Sequence, residues 1–136
     1  MVRYVLDSSA ILRYLDDEAG AVRVSEIIKS HLAGECEAVV SAPHWGEVAG
    51  ITCKLHGKPA MELVLSRLSS FGLPIIAADA DRAVRSALIK LKRKNPYVDA
   101  FGIELASDSR DHIFVTADFD FTPASRDVAI EFLPAK

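Results

Sequence analysis

Four separated segments of the sequence each place a carboxylate where its neighbours offer no counter-charge. Asp7 is the only formally charged residue between Tyr4 and Leu12, and Glu47 is the sole Asp, Glu, Lys or Arg from Ala38 through Cys53. No Lys or Arg lies three or four residues from Glu47 to pair with it along a helix. Asp99 sits in Tyr97-Val-Asp-Ala-Phe-Gly-Ile103, and Asp118 follows Ile113-Phe-Val-Thr-Ala117, with Asp120 two residues on. Burying an ionised carboxylate without a partner is unfavourable by several kcal/mol, so apolar segments rarely carry one uncompensated. Singly, each acid has a bland role: Asp7 can N-cap a helix, Asp99 can complement a helix dipole, and Asp118 or Asp120 can serve a turn. Together they suggest a shared site, because gathered carboxylates repel one another unless a cation joins them. Hard oxygen ligands without nearby His or Cys suit Mg²⁺ or Mn²⁺, not zinc. His31, His44, His56 and His112 show no ligand-like pairing and are expected to be structural or surface residues.

The elements that must position these acids follow from hydrophobic periodicity. Short β-like runs rich in Val, Ile and Phe occur at Val2–Leu6, Glu37–Val40, Leu73–Ala77, His112–Thr116 and Val128–Phe132. Between them lie helical stretches around Ala10–Leu15, Ala19–Ala33, Pro43–Leu55, Ala60–Ser70, Ala80–Lys94 and Pro96–Ser107. Gly34 suits the position just past the second helix, and Asp79 can cap the fifth. Asn95-Pro96 ends the fifth helix while offering N-cap and N1 residues to the sixth. Strands alternating with helices require crossovers, and hence a mostly parallel sheet of about five strands with helices on both faces. The expectation is one α/β domain over residues 1–136, with no linker, repeat or low-complexity tract. Ligands of such sheets bind beyond the carboxyl ends of the strands, where Asp7 and Asp118 fall.

Composition narrows the class. A chain of 136 residues with 50% hydrophobic and 26% charged residues can bury roughly two-thirds of its unfolded surface without disulfides or a structural metal. Cys36 and Cys53 form no CxxC pair and match no zinc spacing, so reduced, buried thiols are expected. No apolar run approaches the roughly 20 residues of a membrane span. The N-terminus enters an apolar segment at once, without the charged start and cleavage site of a signal peptide, which points to a cytoplasmic protein. The 16 Lys+Arg against 19 Asp+Glu give a formal charge of −3, which on its face disfavours nucleic acid as a partner.

The acidic segments also carry a resemblance. Val5-Leu-Asp-Ser-Ser-Ala-Ile-Leu12, Ser41-Ala-Pro-His-Trp-Gly-Glu-Val48, Tyr97-Val-Asp-Ala-Phe-Gly-Ile-Glu-Leu-Ala106 and Phe114-Val-Thr-Ala-Asp-Phe-Asp-Phe121 resemble the four acidic motifs of PIN domains, in order and at usual separations. The likeness spans nearly the whole chain and is strongest to the small VapC-like toxin ribonucleases of type II toxin-antitoxin systems. It implies a three-layer α/β/α fold and makes Asp7, Glu47, Asp99 and Asp118 the metal-centred catalytic quartet. Ser8, Ser9 and Thr116 take the places of supporting hydroxyl residues. Asp118 is preferred as the fourth acid because it lies two residues past Thr116, with Asp120 as an auxiliary candidate. The resemblance further implies Mg²⁺, or Mn²⁺, as cofactor, RNA as substrate, a homodimer, and a cognate antitoxin whose tail occupies the acidic groove. In this scheme Asp7 and Asp99 are the principal metal ligands, Asp118 completes the site, and Glu47 positions or deprotonates the attacking water.

Charge placement softens the objection from net charge. Along the fifth helix, Ala83, Val84, Ala87, Leu88 and Leu91 share one face, while Arg82, Arg85, Lys90, Lys92 and Arg93 fall on the other, and Lys94 continues toward Asp99. Six of the 16 basic residues thus crowd one stretch, either a solvated face or a track for a phosphate backbone. Trp45 is expected in the core or the site wall. The apolar early helices, Ala10–Leu15 and Ala21–Ile28, suit either burial or a partner interface. Competing functions are a housekeeping RNA-processing PIN nuclease, a non-catalytic PIN-fold binding module, and a Mg²⁺-dependent phosphatase or receiver domain. The last fits poorly, since Ser9 stands where a haloacid-dehalogenase-type phosphatase needs its second Asp.

Overall fold

Period-two alternation in five short apolar runs sorts their side chains to opposite faces of one sheet. In the computed structural model, which describes residues 1–136, these runs are β1 (Arg3–Leu6), β2 (Glu37–Ser41), β3 (Ile75–Ile76), β4 (His112–Thr116) and β5 (Ala129–Phe132). The strand order is β3-β2-β1-β4-β5, and every adjacent pair is parallel. Arg3 pairs with Glu37 on one side and His112 on the other, so β1 is central and its carboxyl end is flanked by those of β2 and β4.

The helices are α1 (Ser8–Leu15), α2 (Ala21–Leu32), α3 (Ala42–His56), α4 (Lys58–Ser69), α5 (Ala80–Arg93) and α6 (Tyr97–Ala106), with a 3₁₀ segment at Phe119–Arg126. On one face of the sheet, Leu6, Val40 and Val115 pack against Ile11, Val24, Ile27, Val48 and Leu68 from α1 to α4. On the other, Val5, Val39 and Phe114 pack against Ile103, Leu105 and Ala106 of α6 and Phe121 and Ala124 of the 3₁₀ segment. The result is the expected α/β architecture with three layers.

Local chemistry sets the ends. Asp7, Ser41 and Asp79 N-cap α1, α3 and α5 by accepting from the N–H groups of Ala10, His44 and Arg82. Gly34 follows α2 with φ of 76°, and Glu35 N–H reaches back to Ser30 O, the closure that favours glycine at that position. Most element ends differ from expectation by one or two residues, and three features stand out. The third strand is only two residues long, at the sheet edge. Pro96, not Asn95, occupies the N-cap of α6, because Lys94 adopts a left-handed φ of 57° and the chain turns there. The 3₁₀ segment has no clear periodicity in sequence; the Asp118 side chain caps it.

The fifth helix shows the largest departure. Its apolar stripe faces outward: Val84, Leu88 and Leu91 are 62%, 61% and 75% exposed. Ser86 is buried instead, and Arg82, Ile89 and Arg93 lie half-buried against the body of the protein. Glu104 of α6, only 2% exposed, explains the orientation, since it draws Arg82 and Arg85 inward with contacts of 2.8 and 2.9 Å. Both cysteines are free; Cys36 is buried, and burial pushes its thiol up, away from reactivity. No helix is long and apolar enough to cross a membrane.

Candidate active site

After β1 the chain builds β2 and β3 on one side, then returns to place β4 on the other side of β1. That reversal makes the carboxyl ends of β1 and β4 the switch point of the sheet, the place where such sheets bind ligands. Asp7 is the first residue beyond β1. Its Oδ1 accepts from Ala10 N–H at 2.9 Å and Ser9 Oγ at 2.7 Å, and its Oδ2 accepts from Thr116 Oγ1 at 2.6 Å. The carboxylate is therefore an N-cap and also the hub of a buried hydroxyl network. Burial pushes the Asp7 carboxyl above its ordinary value, although the bonds from Thr116, Ser9 and Ala10 and the nearby His44 pull the other way. The three donors offset only part of the effect of burial.

The supporting hydroxyls tie the segments together. Ser8 Oγ donates to Glu47 Oε1, joining α1 to α3. Ser9 Oγ accepts from Ala117 N–H at 2.9 Å, and Thr116 Oγ1 accepts from Asp118 N–H at 3.0 Å. Asp118 thus connects to Asp7 through Thr116, while its own Oδ1 accepts from Asp120 N–H at 2.9 Å. Asp120 is exposed and Asp118 half-buried.

Asp99 lies in the first turn of α6, and Glu47 in the second turn of α3. The structure brings these two together with a residue not expected there, His44, three positions before Glu47 and on the same side of α3. One ligand atom from each of His44, Glu47 and Asp99 lies within 4.8 Å of the other two. His44 has no solvent exposure, its Nδ1 lies 3.0 Å from Ser41 Oγ, and its Nε2 is a buried atom without a hydrogen-bond partner, 3.7 Å from Asp99 Oδ1. Asp7 and Asp118 stand outside this tight group. The premise that no histidine neighbours the acids is therefore corrected. The sequence signal available was the three-residue spacing of His44 and Glu47 just after the Ser41 cap. An orphaned buried nitrogen and two half-buried carboxylates together fit a divalent cation.

The basic stretch is less free than its composition suggests. Arg82 and Arg85 bind Glu104, Arg82 also reaches Asp108, and Lys92 and Arg93 both approach Asp127. Of the six residues considered for a phosphate track, Lys90 and Lys94 have no ion-pair partner. Trp45 is half-buried against the α1 to α4 core, as a site wall would be.

Comparison with known families decides the affiliation: the PIN domain model matches residues 4–126. The chain belongs to the PIN domain family. No curated protein matches the sequence. Among solved structures, this PIN domain superposes on VapBC2 from Rickettsia felis bound to a promoter DNA fragment with a TM-score of 0.76 at 12% identity, covering 96% of this chain and 98% of that one. DNA-bound VapBC from Salmonella typhimurium gives 0.72 at 19% identity, over 97% and 98% of the two chains. VapC20 of Mycobacterium tuberculosis, a toxin described as cleaving the sarcin-ricin loop, gives 0.70 at 16% identity, over 96% and 99%. At these identities the likeness is one of fold, and the whole PIN domain, including both ends of its sheet, takes part in it.

Proposed function

We propose that this PIN domain is a divalent-metal-dependent endoribonuclease, the toxin half of a VapBC-type pair, with Asp7, Glu47, Asp99 and Asp118 as its catalytic acids. The observation that carries this reading is the sheet end beyond β1 and β4, where Asp7 is locked in a buried hydroxyl network and its neighbour Ser8 reaches Glu47, itself grouped with His44 and Asp99. A bound divalent cation supplies charge neutralisation at the transferring phosphoryl group. Glu47 and Asp99 would hold it, and Mg²⁺ or Mn²⁺ suits such oxygen donors. Thr116, Ser9 and Ala10 keep Asp7 rigid, so the site needs little reorganisation when charge develops. Glu47, oriented by Ser8, is the group placed to accept a proton from an attacking water. Asp118, fixed through Thr116 and half-buried, is the fourth acid in preference to the exposed Asp120. Lys90 and Lys94 are the cations free to meet the RNA backbone.

Two surfaces support protein partners. A groove of about 560 Å³ runs between α1, α3 and α4, lined by Leu12, Leu15, Ile51, Leu55 and Val64, with Ser9 at its site end and Arg13 and Arg67 at its rim. It suits the apolar face of an amphipathic antitoxin helix, continued by a tail toward the acids. The outward stripe of α5, with Tyr97 beside it, suits a second copy of the chain. A toxin of this kind acts in the cytoplasm, where its RNA is. The test is to incubate purified protein, shown to carry no co-purified inhibitor, with structured and single-stranded RNAs in Mg²⁺, Mn²⁺ or EDTA. Cleavage with metal and none in EDTA is expected; no metal-dependent cleavage of any RNA would favour a non-catalytic PIN-fold module. A small antitoxin-like reading frame beside the gene separates the toxin from a housekeeping nuclease.

A further inference from the structure

We propose that His44 supplies a nitrogen ligand to the metal site and gives it a preference for first-row transition cations, Mn²⁺ among them, over Mg²⁺. The inference rests on the metal-site reading above and specifies which ion that site takes. The starting point is the imidazole itself. A histidine with no solvent exposure normally satisfies both ring nitrogens, yet only Nδ1 of His44 is satisfied, by Ser41 Oγ at 3.0 Å. The Ser41 hydroxyl is itself fixed, since it also accepts from His44 N–H at 3.2 Å as the N-cap of α3. In the tautomer whose Nδ1–H donates to this oxygen, Nε2 presents its lone pair toward Asp99, the arrangement found in metal-ligating histidines.

Nε2 lies on the side of the ring that faces Asp99. It stands 3.7 Å from Asp99 Oδ1, too far for a hydrogen bond. Two donors that share an ion with bonds of about 2.1 Å lie between roughly 3.0 Å when adjacent and 4.2 Å when opposite, so the gap matches a shared cation. Glu47 is the third member of the group, with one donor atom from each residue inside 4.8 Å of the others, a spacing that a shared ion would draw in by about half an ångström. The ring has been given room: a Cβ at Gly102, one turn past Asp99 on α6, would come within 2.9 Å of His44 Cε1 and 2.3 Å of Phe114 Cε1. A glycine inside a helix is unfavourable by about 1 kcal/mol relative to alanine, and here it admits the imidazole beside Asp99. Imidazole is a poor ligand for Mg²⁺, which keeps oxygen donors and water, whereas Mn²⁺ and later ions accept nitrogen readily.

The other histidines lie elsewhere, which makes the proposal testable without ambiguity. His31 accepts from Ala38 N–H, His112 binds Leu105 O at the far end of β4, and His56 is exposed at the end of α3. The experiment is electron spin-echo envelope modulation of Mn²⁺ added to the metal-free protein, with Mn²⁺ and Mg²⁺ affinities from titration of the wild type, His44→Asn and His44→Gln. Asn keeps a donor near the Nδ1 position for Ser41 but deletes the ligand atom, and Gln returns an amide near the Nε2 position. The proposal predicts an imidazole nitrogen coupling in the wild type and its loss in His44→Asn. It also predicts a fall of at least about tenfold in Mn²⁺ affinity, with Mg²⁺ affinity changed by less than about threefold. Because the coupling is read on the unmodified protein, it does not depend on the variants folding. Bound Mn²⁺ without nitrogen coupling overturns the role of His44 and leaves the metal site intact. No binding of Mn²⁺ or Mg²⁺ at all overturns both readings.

Discussion

Replacing Thr116 by valine keeps the volume of a buried β-branched residue and deletes one hydroxyl, so its effect isolates the network around Asp7. Thr116 has no solvent exposure; its Oγ1 donates to Asp7 Oδ2 at 2.6 Å and accepts from Asp118 N–H at 3.0 Å. A hydrogen bond to an ionised group contributes about 1.5–3 kcal/mol, and a neutral one about 1. At about 2.1 cal/mol/K per residue, the 136-residue chain has an unfolding entropy of about 0.29 kcal/mol/K near 60 °C, so a loss of 1.5–3 kcal/mol lowers Tm by about 5–10 °C. The loss should depend on pH in one direction. Burial raises the Asp7 carboxyl above its ordinary value of 3.8, so below that value the acid is protonated in both states and contributes nothing. As pH climbs through the raised native value, ionisation increasingly weighs against the folded state. Removing the Thr116 donor raises the native value further and steepens that decline. In denaturant melts in EDTA, the Thr116→Val deficit should widen from about 1 kcal/mol near pH 4 to the full amount near pH 7.5. An equal deficit at both pH values would refute the claim that Thr116 stabilises an ionised Asp7.

Other perturbations probe the surroundings. Gly102→Ala forces a methyl against Phe114 and His44, and overpacking of this kind is destabilising by about 1–3 kcal/mol; a thermal melt unchanged from wild type would contradict the tight contact. Glu104→Gln leaves Arg82 and Arg85 without their buried partner and should lower stability by about 2–3 kcal/mol, somewhat less than for a fully buried pair because both arginines reach solvent. Urea melts read this directly, and a loss below about 0.5 kcal/mol would make the pair a mere surface contact. The double reversal Lys90→Glu, Lys94→Glu should weaken RNA binding and reduce the slope of log affinity against log salt by about one or two; an unchanged slope would remove these residues from the RNA path.

The strands and helices were legible because their periods are clean. All five strands and all six helices overlap the stretches that alternation and 3.6-residue spacing mark, with ends shifted by up to two residues, and Asp79 and Gly34 perform the capping that their types suggest. Three things were not legible, each for a physical reason. His44 is one polar residue in an apolar helix start, and only the return of α6 beside α3 reveals that it faces Asp99. The orientation of α5 depended on Glu104, an isolated acid in an apolar helix, much as Glu47 is. The same local signal marks a structural ion pair in one case and a site carboxylate in the other, and only the tertiary partner separates them. The 3₁₀ segment rests on a side-chain cap and carries too little periodicity to be seen beforehand.

The central claim is that these acids form a metal-dependent nuclease centre, and Asp99→Asn tests it most directly, because the change removes a charge with almost no change in volume. Cleavage of RNA by wild type and variant should be measured side by side in Mg²⁺ and Mn²⁺, with circular dichroism and Tm confirming that both are folded. The account predicts metal-dependent cleavage by the wild type and near-complete loss in a normally folded Asp99→Asn. Full metal-dependent cleavage by that variant would contradict it.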